Sequence, residues 1–178
     1  MDGITIKTPW AGHTGNIPLH LTYPDGTMVD AVRRVAKRYP SCTALDFMGK
    51  PTAYRTLMAD IEACARGLAA VGVQAGDVVT IALPNCPQAV CLFYAVNLIG
   101  GVCSMIHPLS AEKEIEFYLN EANSRTIITL DQFYPKVAAI RENTQLQTVI
   151  IARIADALTP LTRLGYALTE GRKLPKLP

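Results

Sequence analysis

The 178-residue sequence lacks the short motifs that mark the common nucleotide-binding and hydrolytic sites. It contains no G-x-G-x-x-G, no G-x-x-x-x-G-K-[ST], no G-x-S-x-G and no H-E-x-x-H. These absences exclude a dinucleotide fingerprint, a Walker-type phosphate loop, a hydrolase nucleophile elbow and a zincin helix. No Gly/Ser/Thr-rich loop that could wrap phosphates is present either.

Metal-binding and nucleic-acid-binding signals are absent as well. The five cysteines include no C-x-x-C pair, and the three histidines are scattered along the chain, so we expect no metal site. The cysteine count is odd, which predicts reduced thiols packed as small apolar residues in a cytoplasmic protein. The formal net charge is only +2 and no Lys/Arg cluster stands out, so nucleic acid is not an expected partner. The first ten residues lack the apolar segment of a signal peptide.

What the sequence does contain is one well-defined apolar stretch, residues 78–108. Two short apolar runs, 78–83 and 102–106, flank a helix-length apolar run at 87–99. This pattern predicts a β-α-β unit in a parallel sheet. Both short runs are apolar throughout, so we expect both faces of each strand to be covered.

A membrane span is the competing interpretation of the same stretch. Residues 89–106 carry no charge over eighteen positions, which is long enough to raise the question. The Gly-Gly pair at 100–101 would break such a helix, and Asn97 and Ser104 would lie in lipid. A buried helix followed by a buried strand is therefore favoured, and we expect no transmembrane segment.

Helix-start signals occur at three places. Thr27 and Asp30 have the spacing of a capping box, and Ser110 precedes a helix rich in glutamate. Asn85 is predicted to cap the helix at 87–99, so removing its side chain should cost about 1 kcal/mol. The first helix is predicted to bury one apolar face, formed by Met28, Ala31, Val32, Val35, Ala36 and Tyr39.

The remaining segments alternate between strand and helix patterns. We predict a hairpin at 43–54, helices at 53–71 (ended by Gly72), 110–122 and 135–142, and strands at 125–130 and 148–152. This alternation indicates an α/β fold with a mostly parallel sheet flanked by helices. The predicted organisation is an arm at 1–24, an α/β domain at 25–155 (helices and hairpin at 25–72, β-α-β units at 73–155) and a linker at 156–178.

Candidate binding residues follow from the rule that open α/β sheets bind ligands beyond the carboxyl ends of their strands. Asn85, His107 and Asp131 each follow a predicted strand. We predict His107 and Asn85 as substrate-binding residues, and no catalytic residue. Structural roles compete at all three positions: helix capping at Asn85, a turn before proline at His107 and another helix cap at Asp131.

Three stretches together resemble a known family. They are PTAYRTLMADIEACARGLAAVGVQAGDVVTIALPNCPQ, NLIGGVCSMIHPLSAEKEIEFYLNEANSRTIIT and, more weakly, the arm with YPDGTMVDAVRRVAKRYP. The combination resembles the AMP-forming acyl-CoA synthetases of the adenylate-forming enzyme superfamily, and the arm is most like that of long-chain fatty acid–CoA ligases. Two positions depart from the family pattern: His107 stands where Asn is frequent, and Arg55 replaces an acidic residue.

The resemblance implies that the chain is the truncated N-terminal part of the large domain of such an enzyme. The intact enzyme would join a fatty acid or other carboxylate to coenzyme A through an acyl-adenylate, using ATP and Mg²⁺. The family's catalytic motifs lie downstream, so the resemblance implies no cofactor in this segment and a missing downstream part as its partner.

The resemblance also implies that residues 1–72 lack a packing partner. An exposed apolar face of that kind predicts self-association into a homo-oligomer. The alternative to a ligase segment is a stand-alone, non-catalytic α/β binding or interaction module.

Overall fold

The computed structural model describes residues 15–17 and 21–175. The predicted arm lies largely outside these residues. The helices and strands in chain order are α1 Met28–Arg38, β1 Thr43–Phe47, β2 Lys50–Ala53, α2 Tyr54–Ala70, β3 Val78–Ala82, α3 Pro87–Ile99, β4 Val102–Met105, α4 Glu112–Glu121, β5 Thr126–Leu130, α5 Tyr134–Ile140, β6 Thr148–Ala152, α6 Ile154–Ala157 and α7 Pro160–Thr169. Short 3₁₀ turns at Asp131–Phe133 and Arg141–Asn143 flank α5, and another at Gly171–Lys173 follows α7.

The main sheet has four parallel strands in the order β4-β3-β5-β6. The chain leaves β3 toward β4 and returns to the opposite side of β3 to form β5. The strand order therefore reverses between β3 and β5, and ligands bind at such a switch point in doubly wound sheets. The predicted fold class, a mostly parallel sheet flanked by helices, is confirmed. The predicted hairpin is β1 paired antiparallel with β2.

Helices cover both faces of the sheet. On one face, α2 and α3 pack on Val79 and Ile81 of β3. On the other face, Ile115 of α4 and Val137 of α5 pack on Ile127 of β5. Helix α3 therefore lies opposite α4 and α5, as right-handed crossovers would place it, and the result is a three-layer core.

The first two helices have a packing partner within this chain. Leu57 and Ile61 of α2 are 3% and 0% exposed, and they pack with Val29 of α1 and Cys91 of α3 in one cluster. For α1 and α2, the expectation of an uncovered apolar face within residues 1–72 is therefore wrong, because α3 covers the buried residues of both helices. The predicted face of α1 is also shifted: Val29 is buried, whereas Met28 is exposed.

The edge position of β4 overturns one strand prediction. All five residues of β5 are buried, and so are four of the five in β3. In β4, however, Val102 and Met105 are 53% and 52% exposed. Burial on both faces, predicted for both strands of the β-α-β unit, holds for β3 and fails for β4.

The Gly-Gly pair ends α3 for two physical reasons. Gly100 adopts a left-handed conformation with φ of 84°, which favours glycine at a helix C-terminus. A Cβ at Gly101 would lie 3.0 Å from Val96 Cγ1 and 3.1 Å from the Asp77 carbonyl oxygen. Residues 89–106 therefore form a helix, a turn and a strand, and none of the helices in the described ranges is long and apolar enough to cross a membrane.

The predicted start of α1 is confirmed, and the predicted cap of α4 is wrong. The capping box of α1 is confirmed: the Asp30 amide donates to Thr27 Oγ1 at 3.3 Å, and the Thr27 amide donates to Asp30 Oδ2 at 2.9 Å. The hydrogen bonds from Thr27 lower the pKa of Asp30. Ser110 is not a cap, because the N-cap of α4 is Ala111, whose amide donates to Glu114 Oε2 at 2.9 Å.

The region predicted as a linker, residues 156–178, contains the ten-residue helix α7. Its N-cap is Thr159, whose Oγ1 accepts from the Thr162 amide at 3.3 Å, and Pro160 occupies the first helical position. Thr followed by Pro is a helix-start signal, and the sequence interpretation missed it. The domain boundary at residue 155 stays a prediction.

Candidate functional site

The candidate site is a cavity of about 590 Å³ at the carboxyl ends of β3, β4 and β5. It lies beside the point where the strand order reverses. Its walls come from the last residue of β4 and from the segments after all three strands: Leu83, Pro84, Asn85, Met105, Ile106, His107, Pro108, Leu109, Gln132 and Phe133. The structure therefore brings the two predicted binding residues, Asn85 and His107, into one cavity.

His107 is exposed in a tight turn after β4. Its Nδ1 accepts from the Leu109 amide at 3.2 Å, and its carbonyl accepts from the Ser110 amide at 3.1 Å. A neutral imidazole that accepts at Nδ1 carries its proton on Nε2. The ring can thus offer one N–H donor to a ligand.

Asn85 is exposed in the loop after β3 and does not cap α3. The N-cap is Cys86, with φ of −141° and ψ of 162°, and no side chain caps this helix. The physical reason is Pro87: proline at the first helical position forces the residue before it into the extended region. The capping prediction for Asn85 and its energetic cost are wrong. Within residues 15–17 and 21–175, the Asn85 amide has no hydrogen-bond partner, so it can bind a ligand.

Lys136 of α5 holds the His107 turn in place. Its Nζ donates to the carbonyls of Ser110 at 2.9 Å and Leu109 at 3.2 Å. The same ammonium lies 5.7 Å from the centre of the Phe133 ring. Sequence reasoning missed Lys136, since it lies more than twenty positions from the turn that it supports.

Asp131 belongs to a different cavity. It is only 4% exposed, and its Oδ1 accepts from the Gln132 amide at 2.9 Å. It lines a cavity of about 700 Å³ with Arg153, Arg163 and Tyr166. Burial, with the nearby carboxylates of Asp131 and Glu170, raises the pKa of Tyr166. The prediction that Asp131 caps a helix is wrong, because Leu130 is the cap residue of the turn that Asp131 begins.

The thiols of Cys91 and Cys103 are poor nucleophiles. Burial raises the pKa of Cys91 to about 12 and that of Cys103 to about 11, so both stay protonated near neutral pH. In the described part of the chain, no group of three or more His, Cys, Asp or Glu side chains could hold a metal ion. The cavity at the sheet edge therefore offers an imidazole, an amide and apolar walls, which suit binding by hydrogen bonds.

The family model described as "AMP-binding enzyme" matches residues 32–173. The chain is 34% identical over 169 residues to a long-chain-fatty-acid–CoA ligase of Bacillus subtilis (strain 168), covering 94% of this chain and 30% of that protein. It is 28% identical over 158 residues to the enzyme of the same name from Salmonella typhimurium (strain LT2), covering 86% and 28%. The chain thus spans less than a third of the length of these relatives.

Solved structures show the same likeness. The N-terminal domain of FACL13 from Mycobacterium tuberculosis matches with a TM-score of 0.67 at 27% identity, over 78% of this chain and 35% of that chain. A long-chain-fatty-acid–CoA ligase, FadD1 from Archaeoglobus fulgidus, matches with a TM-score of 0.69 over 77% and 30%. Its identity is 19%, so this match shows the fold alone. The resemblance predicted from the three sequence stretches is confirmed.

Proposed function

The chain belongs to the family of AMP-binding enzymes, and from this we propose that it is the N-terminal part of an ATP-dependent carboxylate–CoA ligase. The proposed reaction passes through an acyl-adenylate, from which coenzyme A displaces AMP. One observation carries the proposal: nearly the whole chain aligns with a single stretch of a curated CoA ligase. A fatty acid is the proposed carboxylate, because the Bacillus and Salmonella relatives both carry that substrate in their names.

We propose that this segment acts as a scaffold. ATP, Mg²⁺ and coenzyme A are the groups that such a ligase requires, and the residues described here do not fit a Mg²⁺–nucleotide complex. The cavity that contains His107 and Asn85 is lined by neither a carboxylate nor a Lys or Arg side chain. In nucleotide sites, Mg²⁺ is usually bound by one or two carboxylates together with the phosphates. Polyphosphate is bound by cationic side chains or by successive backbone N–H groups. The proposal therefore assigns those groups to the missing downstream part of the enzyme.

Within the intact enzyme, we infer that His107 and Asn85 contact the substrate. Two observations support this role. Both residues line the cavity at the switch point of the sheet, and the Asn85 amide is not used by α3. An imidazole N–H and a side-chain amide can hydrogen-bond a carboxylate oxygen without supplying charge.

A non-catalytic binding module is the second candidate, and a different cavity favours it. This cavity of about 440 Å³ lies between the β1–β2 hairpin and the start of α3. Phe47, Phe93 and Tyr94 give it a largely apolar wall, which is typical of small-molecule sites.

The proposal includes a cytoplasmic location and self-association of this chain. The five cysteines are free thiols, which suits a reducing compartment.

The surface that supports self-association is the outer edge of β4, where Val102 and Met105 are half-exposed. An unpaired strand edge is a template for pairing with a second chain.

Fatty-acid-dependent ATP–pyrophosphate exchange tests the ligase and scaffold proposals together. The 178-residue chain is expected to give no exchange, and the longer polypeptide encoded by the continuing reading frame is expected to give it. Exchange by the 178-residue chain alone would overturn the scaffold role. A gene that stops after codon 178, or a longer polypeptide without exchange, would overturn the ligase proposal in favour of the binding module.

A further inference from the structure

Helix α7 carries an apolar stripe that faces away from the protein. Leu161, Leu164 and Leu168 are 80%, 60% and 55% exposed. Their spacing of three and four residues places them on one side of the helix. The half-buried residues of the helix are Thr162 and Tyr166, which lie on the opposite side. This is the reverse of an ordinary surface helix, whose apolar stripe packs on the core.

The polar side of α7 fastens the helix to the domain. Tyr166 and Arg163 line the cavity that contains buried Asp131. Arg163 also pairs with Asp156 of α6 at 3.4 Å, and Thr159 caps the helix. The leucine stripe therefore lies on the side of the helix that faces away from these residues.

The small area of the leucine stripe argues against a second copy of the chain as the partner that covers it. A ten-residue helix is about 15 Å long. The area that three leucine side chains on it can bury falls well short of the ~800 Å² per partner that a stable interface buries. The same stripe suits a lipid surface, where an amphipathic helix lies in the plane of the headgroups with its apolar side down.

The charge of this region complements an anionic surface. Residues 160–178 contain four basic residues, Arg163, Arg172, Lys173 and Lys176, against Glu170 as the one acidic residue. Their formal charge of +3 exceeds the +2 of the whole chain. Arg172 follows the stripe directly and is exposed. Basic residues beside an apolar stripe draw a helix toward anionic lipids.

We propose that α7 is a membrane-surface anchor, whose stripe of Leu161, Leu164 and Leu168 inserts into an anionic lipid interface toward which the net positive charge of residues 160–178 draws the helix. The helix is too short to cross a bilayer, whose hydrocarbon core is about 30 Å thick. The proposal does not depend on the ligase proposal, because it concerns binding to lipid and not the chemistry.

Vesicle co-sedimentation tests the anchor. The 178-residue chain is expected to bind phosphatidylglycerol/phosphatidylcholine vesicles more tightly than phosphatidylcholine vesicles, and to lose binding as salt rises from about 0.1 to 0.5 M. The triple variant Leu161→Gln/Leu164→Gln/Leu168→Gln keeps the net charge and is expected to bind at least about tenfold more weakly.

The matched control is Phe117→Gln, which removes a 59% exposed apolar side chain from α4. It should bind vesicles like the unmodified chain, and all three proteins should share one urea midpoint because the replaced side chains are exposed. Equal binding by the triple variant, or no binding by the unmodified chain, would overturn the anchor. So would a dimer, seen by light scattering, that the triple variant abolishes without vesicles present. A longer polypeptide that ignores vesicles bound by the 178-residue chain would show that the stripe is covered within the enzyme, and would likewise overturn the proposal.

Discussion

At the scale of single residues, two fully buried hydroxyl groups have opposite surroundings. Ser124 Oγ lies 2.9 Å from the Thr126 carbonyl oxygen and 3.1 Å from that of Val78, so its proton has an acceptor. Thr80 Oγ1, in the middle of β3, has no hydrogen-bond partner among the described residues. A buried hydroxyl without a partner loses its hydrogen bonds to water on folding and forms none within the protein, which costs free energy.

These surroundings predict opposite effects on stability. Thr80→Val replaces the hydroxyl by a methyl group of similar shape and should raise the free energy of unfolding by about 1 kcal/mol. Ser124→Ala leaves a buried carbonyl without its donor and should lower it by about 1 kcal/mol. Urea unfolding measures both. A loss of stability in Thr80→Val would mean that the hydroxyl has a partner after all.

At the scale of secondary-structure elements, the two helices that open the domain start in different ways. The start of α1 is capped twice, locally by Thr27 and from a distance by Asn97 near the end of α3. Asn97 Oδ1 accepts from the Val29 amide at 3.0 Å, and Val29 is 2% exposed. The start of α3 depends on Pro87 instead of a side-chain cap.

Two asparagine variants distinguish these helix starts. Asn97→Ala leaves the buried Val29 amide without an acceptor and should cost about 1–3 kcal/mol. Asn85→Ala is the matched control and should change the free energy of unfolding by less than about 0.5 kcal/mol. Thermal or urea unfolding decides the matter. If Asn85→Ala lowered the free energy of unfolding as much as Asn97→Ala, Asn85 would cap α3 after all.

At the scale of the whole molecule, the cysteines report on the integrity of the fold. Cys42 is exposed, whereas Cys86 is buried in the cluster that includes the sheet and Cys91 in the cluster of α1, α2 and α3. Burial raises the pKa of Cys91 from 9.0 to about 12. Because the raised pKa favours the protonated thiol in the folded state, this group lowers stability as pH rises from 9.0 toward about 12.

Alkylation followed by mass spectrometry tests this distribution. With iodoacetamide at about pH 8, the folded chain should be modified rapidly at Cys42, and Cys91 should react only as fast as the molecule unfolds. Urea should make all five cysteines react. Modification of Cys91 at the rate of Cys42 in the folded chain would contradict the burial of α3 against α2.

The sequence by itself determined the features that depend on neighbouring residues. The β-α-β rhythm follows from apolar runs of strand and helix length, and the parallel sheet follows from that rhythm. The capping box joins Thr27 and Asp30, which are three positions apart, and the glycine stop at Gly100 depends on one backbone angle. Pro87 is an equally local feature. Because proline favours the first helical position, the sequence alone could have predicted Cys86 as the N-cap of α3 in place of Asn85.

Only the tertiary structure decided the features that join distant parts of the chain. Strand order put β4 at an edge and β5 at the centre, although both are apolar runs of similar length. It also brought His107 and Asn85 into one cavity while it turned Asp131 into another. The tertiary structure also turned Tyr166 of α7 toward the cavity of Asp131 and the leucines of the same helix outward. Periodicity shows that a helix has an apolar side, but packing between elements distant in sequence decides what that side faces.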